Sequence, residues 1–144
     1  MEAERFHRSA YTGTKTFTQQ DVQTVNARGF GAAADDYAER GIDLNEQLIR
    51  NKPATFFFKM NGDAMQRAGI FDADVLVVDR SLKPQSGKVV IAAYNGELVV
   101  RRLKLNPPAA PTLLPENDQY KPLQIDEFSQ FEVWGVVTYV IHAL

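Results

Sequence analysis

From Ala54 to the C-terminus, apolar residues come in short β-branched or aromatic runs separated by turn residues. The runs are Thr55–Met60, Val75–Asp79, Lys88–Tyr94, Glu97–Leu103 and Phe131–Ile141, and their length and composition predict the strands of a mostly β domain. Between Tyr94 and Glu97 sits Asn95-Gly96, a pair that tolerates positive φ at both central positions of a two-residue hairpin, so strands 88–94 and 97–105 are expected to pair antiparallel. Asn106-Pro-Pro-Ala-Ala-Pro cannot continue that ladder and reads as a loop, after which Leu113-Leu114 and Leu123-Gln-Ile125 look like brief strands. The run Phe56-Phe57-Phe58 reads as a strand buried on both faces rather than as a base-stacking platform.

Upstream the pattern differs. Residues 1–41 hold scattered aromatics with no sustained period of two or 3.6 and read as an arm. A short helix opens at Ile42, where Asp43 can cap and Glu46 completes a capping-box spacing; Leu44 and Leu48 share a face, and Pro53 prevents continuation. The expected organisation is an N-terminal arm over 1–41 and a β domain over 42–144.

Composition narrows the function. An apolar fraction of 44% with 24% charged residues places the chain among folded globular proteins. A net charge of −2 gives no bulk basic footprint for a phosphate backbone, so any DNA contact is expected to be indirect. With no cysteine, and with His7 and His142 at opposite ends of the chain, no metal site and no cofactor are expected. The first residues lack a signal-peptide core and no apolar run has membrane-spanning length, so a cytoplasmic protein with no membrane partner is the expectation.

The most distinctive block is residues 60–79, Met-Asn-Gly-Asp-Ala-Met-Gln-Arg-Ala-Gly-Ile-Phe-Asp-Ala-Asp-Val-Leu-Val-Val-Asp. A strand ends at a glycine turn, a helical start follows, and a second turn launches another strand. Such a turn exposes its crest beside free backbone N–H groups, where a nucleophile and oxyanion hole are commonly built. Here the crest is Ala64-Met65, and alanine carries no nucleophile. The Asp72/Asp74 pair reads as turn capping rather than as a two-carboxylate hydrolase site. No lysine stands at a recognisable spacing from Ser81, Ser86 or Ser129.

This block resembles the Gly-Asp-Ser-Met motif of the LexA/UmuD family of self-cleaving serine peptidases. Ile70–Asp79 resembles the segment that follows the motif, Gly87–Leu103 the hairpin that carries the catalytic lysine, and Trp134-Gly-Val-Val the closing strand. Gly29-Phe30, Asp36-Tyr37 and Ile42-Asp-Leu-Asn resemble the UmuD branch in particular, and with some 28 residues before Gly29 a repressor's DNA-binding domain is not expected. The resemblance implies a LexA/signal-peptidase-like β domain of the β-clip type, mainly β, with an extended arm and one short helix.

In that family a serine attacks the chain's own arm, just before the Gly-Phe pair, after a neutral lysine takes its proton. The resemblance puts Ala64 at the nucleophile position, Arg101 at the general-base position, Gly62, Asp63 and Met65 in the oxyanion turn, and the cleavage site at Arg28-Gly29. All three chemical positions depart from the family. Alanine forms no acyl-enzyme, a guanidinium stays charged and is no general base near neutral pH, and Arg28 replaces a small residue before the scissile bond. Val99, Arg101 and Leu103 lie on one strand face. By strand pattern alone Arg101 would be an edge arginine with its head in water; as a remnant of the dyad it would pair with Asp63, Asp72, Asp74 or a carboxylate of the arm.

The resemblance further implies an SOS-induced accessory subunit of translesion synthesis. Its partners would be UmuD-like subunits in a homodimer or heterodimer, a UmuC-like Y-family polymerase and the RecA filament on single-stranded DNA. With its dyad substituted, the chain is expected to act by binding rather than as an enzyme. Other readings are an engineered uncleavable form, a substrate cut in trans by active relatives, and a phage or plasmid antagonist that titrates UmuD-like subunits. A trapping Ser-to-Ala change would not require Arg101 or Arg28, which favours a naturally degenerate homologue.

Overall fold

The computed structural model describes residues 2–5 and 41–144. These fall in two compact units, one uniting the N-terminal strand with Asn51–Leu144 and the other ending at Arg50. In the latter, helix α1 (Leu44–Leu48) is a little over one turn, opened by Asp43, whose carboxylate accepts from the N–H of Asn45 at 3.0 Å and of Glu46 at 3.4 Å. Pro53 lies inside a separate 3-10 turn, Lys52–Ala54, that leads into the sheet.

The sheet unit contains, among the described residues, β1 (Ala3–Arg5), β2 (Thr55–Met60), β3 (Val75–Asp79), β4 (Val89–Tyr94), β5 (Glu97–Lys104), β6 (Thr112–Leu114), β7 (Leu123–Gln124) and β8 (Phe131–Ile141). They form one antiparallel sheet in the order β1-β2-β3-β8-β4-β5-β6-β7. The hairpin β4–β5 turns at Asn95 and Gly96, both with positive φ (49° and 86°), and pairs Tyr94 with Glu97. Strand β1 was not foreseen in the sequence: Ala3 pairs with Met60 and is fully buried.

Period-two alternation divides the core between the two faces of the sheet. Phe58, Met60, Leu76, Val78, Ile91 and Val100 pack with Ala3, Met65 and Ile70 on one face, and Val90, Ala92, Val99, Leu103, Leu113 and Val136 pack on the other. Phe58 is buried, whereas Phe56 and Phe57 are only half-buried, so β2 is less completely covered than its three aromatics suggest.

The long strand β8 curls the sheet through two irregularities. Its pairing with β4 skips Trp134, and its pairing with β3 skips Thr138, whose hydroxyl donates to the Val77 carbonyl at 3.2 Å. At the first bulge the Trp134 ring meets Phe56 and Phe58 edge-on at 5.2 and 4.9 Å, and the Arg80 guanidinium lies 4.3 Å above it. The curl brings β1 back over β5, although four strands separate them in the sheet order.

Gly135 lets β8 lie close against the Val78 side chain of β3, because a Cβ there would stand 2.6 Å from Val78 Cγ1. Gly135→Ala is therefore expected to lower the unfolding free energy in urea by about 1–3 kcal/mol, the usual cost of overpacking. Adding Val78→Ala should recover part of that loss; a neutral Gly135→Ala would contradict the contact.

Candidate functional site: a turn without a nucleophile beside a paired arginine

The turn that follows β2 is held by groups along its whole length. Gly62 has φ +98° and donates its N–H to Asp72 Oδ1 at 2.7 Å. Met65 is fully buried in the core, and a 3-10 turn, Gln66–Ala68, runs to the left-handed Gly69. Asp74 accepts from the Phe71 N–H at 2.8 Å and faces His142 Nδ1 at 2.5 Å. Asp72 and Asp74 thus act as turn caps.

The loop 115–120 covers the crest. Glu116 donates its N–H to the Ala64 carbonyl at 2.8 Å and accepts from the Arg67 N–H at 2.9 Å. Asn117 Nδ2 donates to the Asp63 carbonyl at 2.9 Å, and the Tyr120 hydroxyl donates to Asp63 Oδ1 at 2.8 Å. The Ala64 methyl is consequently fully buried, unlike the exposed crest expected of such a turn. Among the described residues, the N–H groups of Ala64 and Met65 enter no hydrogen bond, so two amide donors remain at the position expected of an oxyanion turn.

Arg101, on β5, is 5% exposed. Its Nη1 donates to Glu2 Oε2 at 2.5 Å and to the Val100 carbonyl at 2.8 Å, while the Val100 N–H donates to the same Glu2 oxygen at 2.9 Å. The partner is thus a carboxylate of the N-terminal segment, and the head is not in water. The Arg101 Cζ lies 5.5 Å from the centre of the Tyr120 ring, so Tyr120 spans from Asp63 in the turn to Arg101 on the strand.

The structure therefore gathers Gly62, Asp63, Ala64, Met65 and Arg101 into one region of the sheet unit, linked through Tyr120. Arg28 and Gly29 lie outside the described residues. Sequence reasoning missed Glu2, Glu116, Asn117 and Tyr120, which sit in segments without periodicity and carry no motif. Among the described residues no group of three or more His, Asp or Glu is placed to hold a metal ion, and no helix is long and apolar enough to cross a membrane.

Comparison with known proteins agrees with this geometry. The peptidase S24-like family model matches residues 22–138. Protein ImpA of Escherichia coli is 42% identical over 114 residues, covering 79% of this chain and 77% of that protein. Protein SamA of Salmonella typhimurium is 44% identical over 114 residues (79% and 78%), and protein MucA of Escherichia coli 39% over 119 residues (82% and 80%). The chain belongs to the peptidase S24-like, or LexA/UmuD, family and is a UmuD-like member of it.

The hydrogen bond to Asp63 raises the pKa of the Tyr120 phenol above its ordinary 10.0, helped by burial and the charges of Asp63 and Glu2 and opposed by Arg101. A raised folded-state pKa favours the neutral phenol, so this contact stabilises the fold fully below the unfolded value and is lost as pH rises through the folded one. Difference titration of phenolate absorbance between wild type and Tyr120→Phe should show a tyrosine ionising above its ordinary value. Asp63→Asn should bring it back down; an unshifted titration would count against the Tyr120–Asp63 bond.

Proposed function

We propose that this chain is a UmuD-like accessory subunit of SOS-induced translesion synthesis that does not cleave itself. It acts in the cytoplasm by pairing with itself or with UmuD-like subunits, and by binding a UmuC-like polymerase and the RecA filament. Two features support the loss of chemistry: a buried methyl at Ala64, where the family has its serine, and a buried guanidinium at Arg101, where the family has its lysine. The second carries the reading. The Glu2 carboxylate against Arg101 stabilises positive charge at that position, the opposite of what a general base needs.

This pairing also sets what repair requires. A lysine placed at 101 beside Glu2 would be held protonated, so Ala64→Ser with Arg101→Lys restores the residue types but not a base at neutral pH. The wild type, incubated with activated RecA or at alkaline pH, should give no fragment beginning at Gly29. The double variant should cleave only toward alkaline pH, and adding Glu2→Gln should move cleavage toward neutrality. A Gly29 fragment from the wild type in mass spectrometry would overturn the proposal. Silence of the triple variant would mean that Arg28 or the covered crest blocks the reaction as well.

A further inference from the structure

Among the described residues, strand β5 has a neighbour on one side only over much of its length. Strand β4 pairs along Glu97–Arg102, whereas β6 begins opposite Arg102. The two-residue turn makes Tyr94 and Glu97 a hydrogen-bonded pair, so bonded pairs recur at Val99 and Arg101, and the N–H and C=O of Val100 point away from β4. An open strand edge ordinarily receives another strand. Here side chains take that place, with Glu2 accepting from the Val100 N–H and Arg101 donating to the Val100 carbonyl.

One oxygen of Glu2 thus accepts from both a backbone amide and a guanidinium. The guanidinium is not used up. Arg101 Nε is buried and has no hydrogen-bond partner among the described residues, leaving a donor in the fixed fork that suits a carboxylate. We propose that the Val100 N–H and the Arg101 guanidinium form a carboxylate-binding site on the open edge of β5. Glu2 is its resident ligand, and an extended peptide bearing a glutamate exchanges with it. A permanent buried cation selects an anionic side chain over its neutral amide, and the unpaired edge selects an extended backbone. This site does not depend on the self-cleavage reading, since Arg101 binds a carboxylate whether or not the chain can cut.

The test uses the full chain, its Glu2→Ala variant, and an acetylated, amidated peptide of residues 1–5 together with the same peptide carrying Gln for Glu2. Amide exchange at Val100 should quicken by about ten- to a hundredfold in Glu2→Ala, the range expected for losing a hydrogen bond to a charged group. The amides of Val99 and Arg101, which face β4, should keep their protection. The glutamate peptide should restore protection at Val100 in Glu2→Ala, and the glutamine peptide should not. Adding Arg101→Gln should abolish the restoration; should that variant fail to fold, the two peptides compared on Glu2→Ala still decide. Unchanged exchange at Val100, equal action of the two peptides, or no effect of either would each overturn the proposal.

Discussion

A guanidinium that cannot shed its charge lies inside the sheet unit, and much of the surrounding structure answers it. Desolvating such an ion costs several kcal/mol even after relaxation. A lysine in the same place could lower that cost by losing its proton, whereas an arginine has only partners to draw on. Arg101 draws on the Glu2 carboxylate, the Val100 carbonyl and the face of Tyr120. Removing one member of a buried pair typically costs about 3–5 kcal/mol, because the other is left uncompensated. The first residues of the chain are therefore structural. Glu2 binds across β5 while Ala3 fills the core and β1 completes the edge of β2, and the curl of the sheet at Trp134 and Thr138 brings these contacts together.

The turn at 62–69 is held without any contact from the side chain of residue 64 beyond its buried methyl. Its shape comes from Met65 in the core, from Asp72 on the Gly62 amide, and from the loop that bonds Asp63 and Ala64 through Glu116, Asn117 and Tyr120. None of these contacts uses the side chain of residue 64. A methyl is well suited to a fully covered position, where a hydroxyl would have to find a partner. The shape of the turn thus does not depend on the side chain at 64, as the proposed binding role requires.

The strands were legible in the sequence because runs such as Val75–Asp79 and the Asn95-Gly96 turn carry local signals, and the faces of β5 followed from alternation alone. Strand β1 was not, because three residues are too few to display a period of two. Arg101 could be singled out as a charge between aliphatics, but its partner could not, since Glu2 is brought to it only by the curl of the sheet. Tyr120 escaped for the same reason: it lies in a loop whose residues have meaning only against the turn they cover. What the sequence could not show is thus long-range.

Glu2 and Arg101 depend on each other in a way that orders the possibilities at this site. A chain that needs a neutral lysine at 101 cannot tolerate a carboxylate at hydrogen-bond distance, because the negative charge would hold the proton in place. A chain with arginine there cannot easily do without one, because nothing else near it among the described residues carries a full negative charge to Nη1. The acid at the front of the chain and the cation on β5 therefore belong to a single arrangement, incompatible with a working base near neutral pH and well matched to holding a peptide edge. On the proposed reading, the lack of a neutral base at 101 and the carboxylate site on β5 would both follow from the same ion pair.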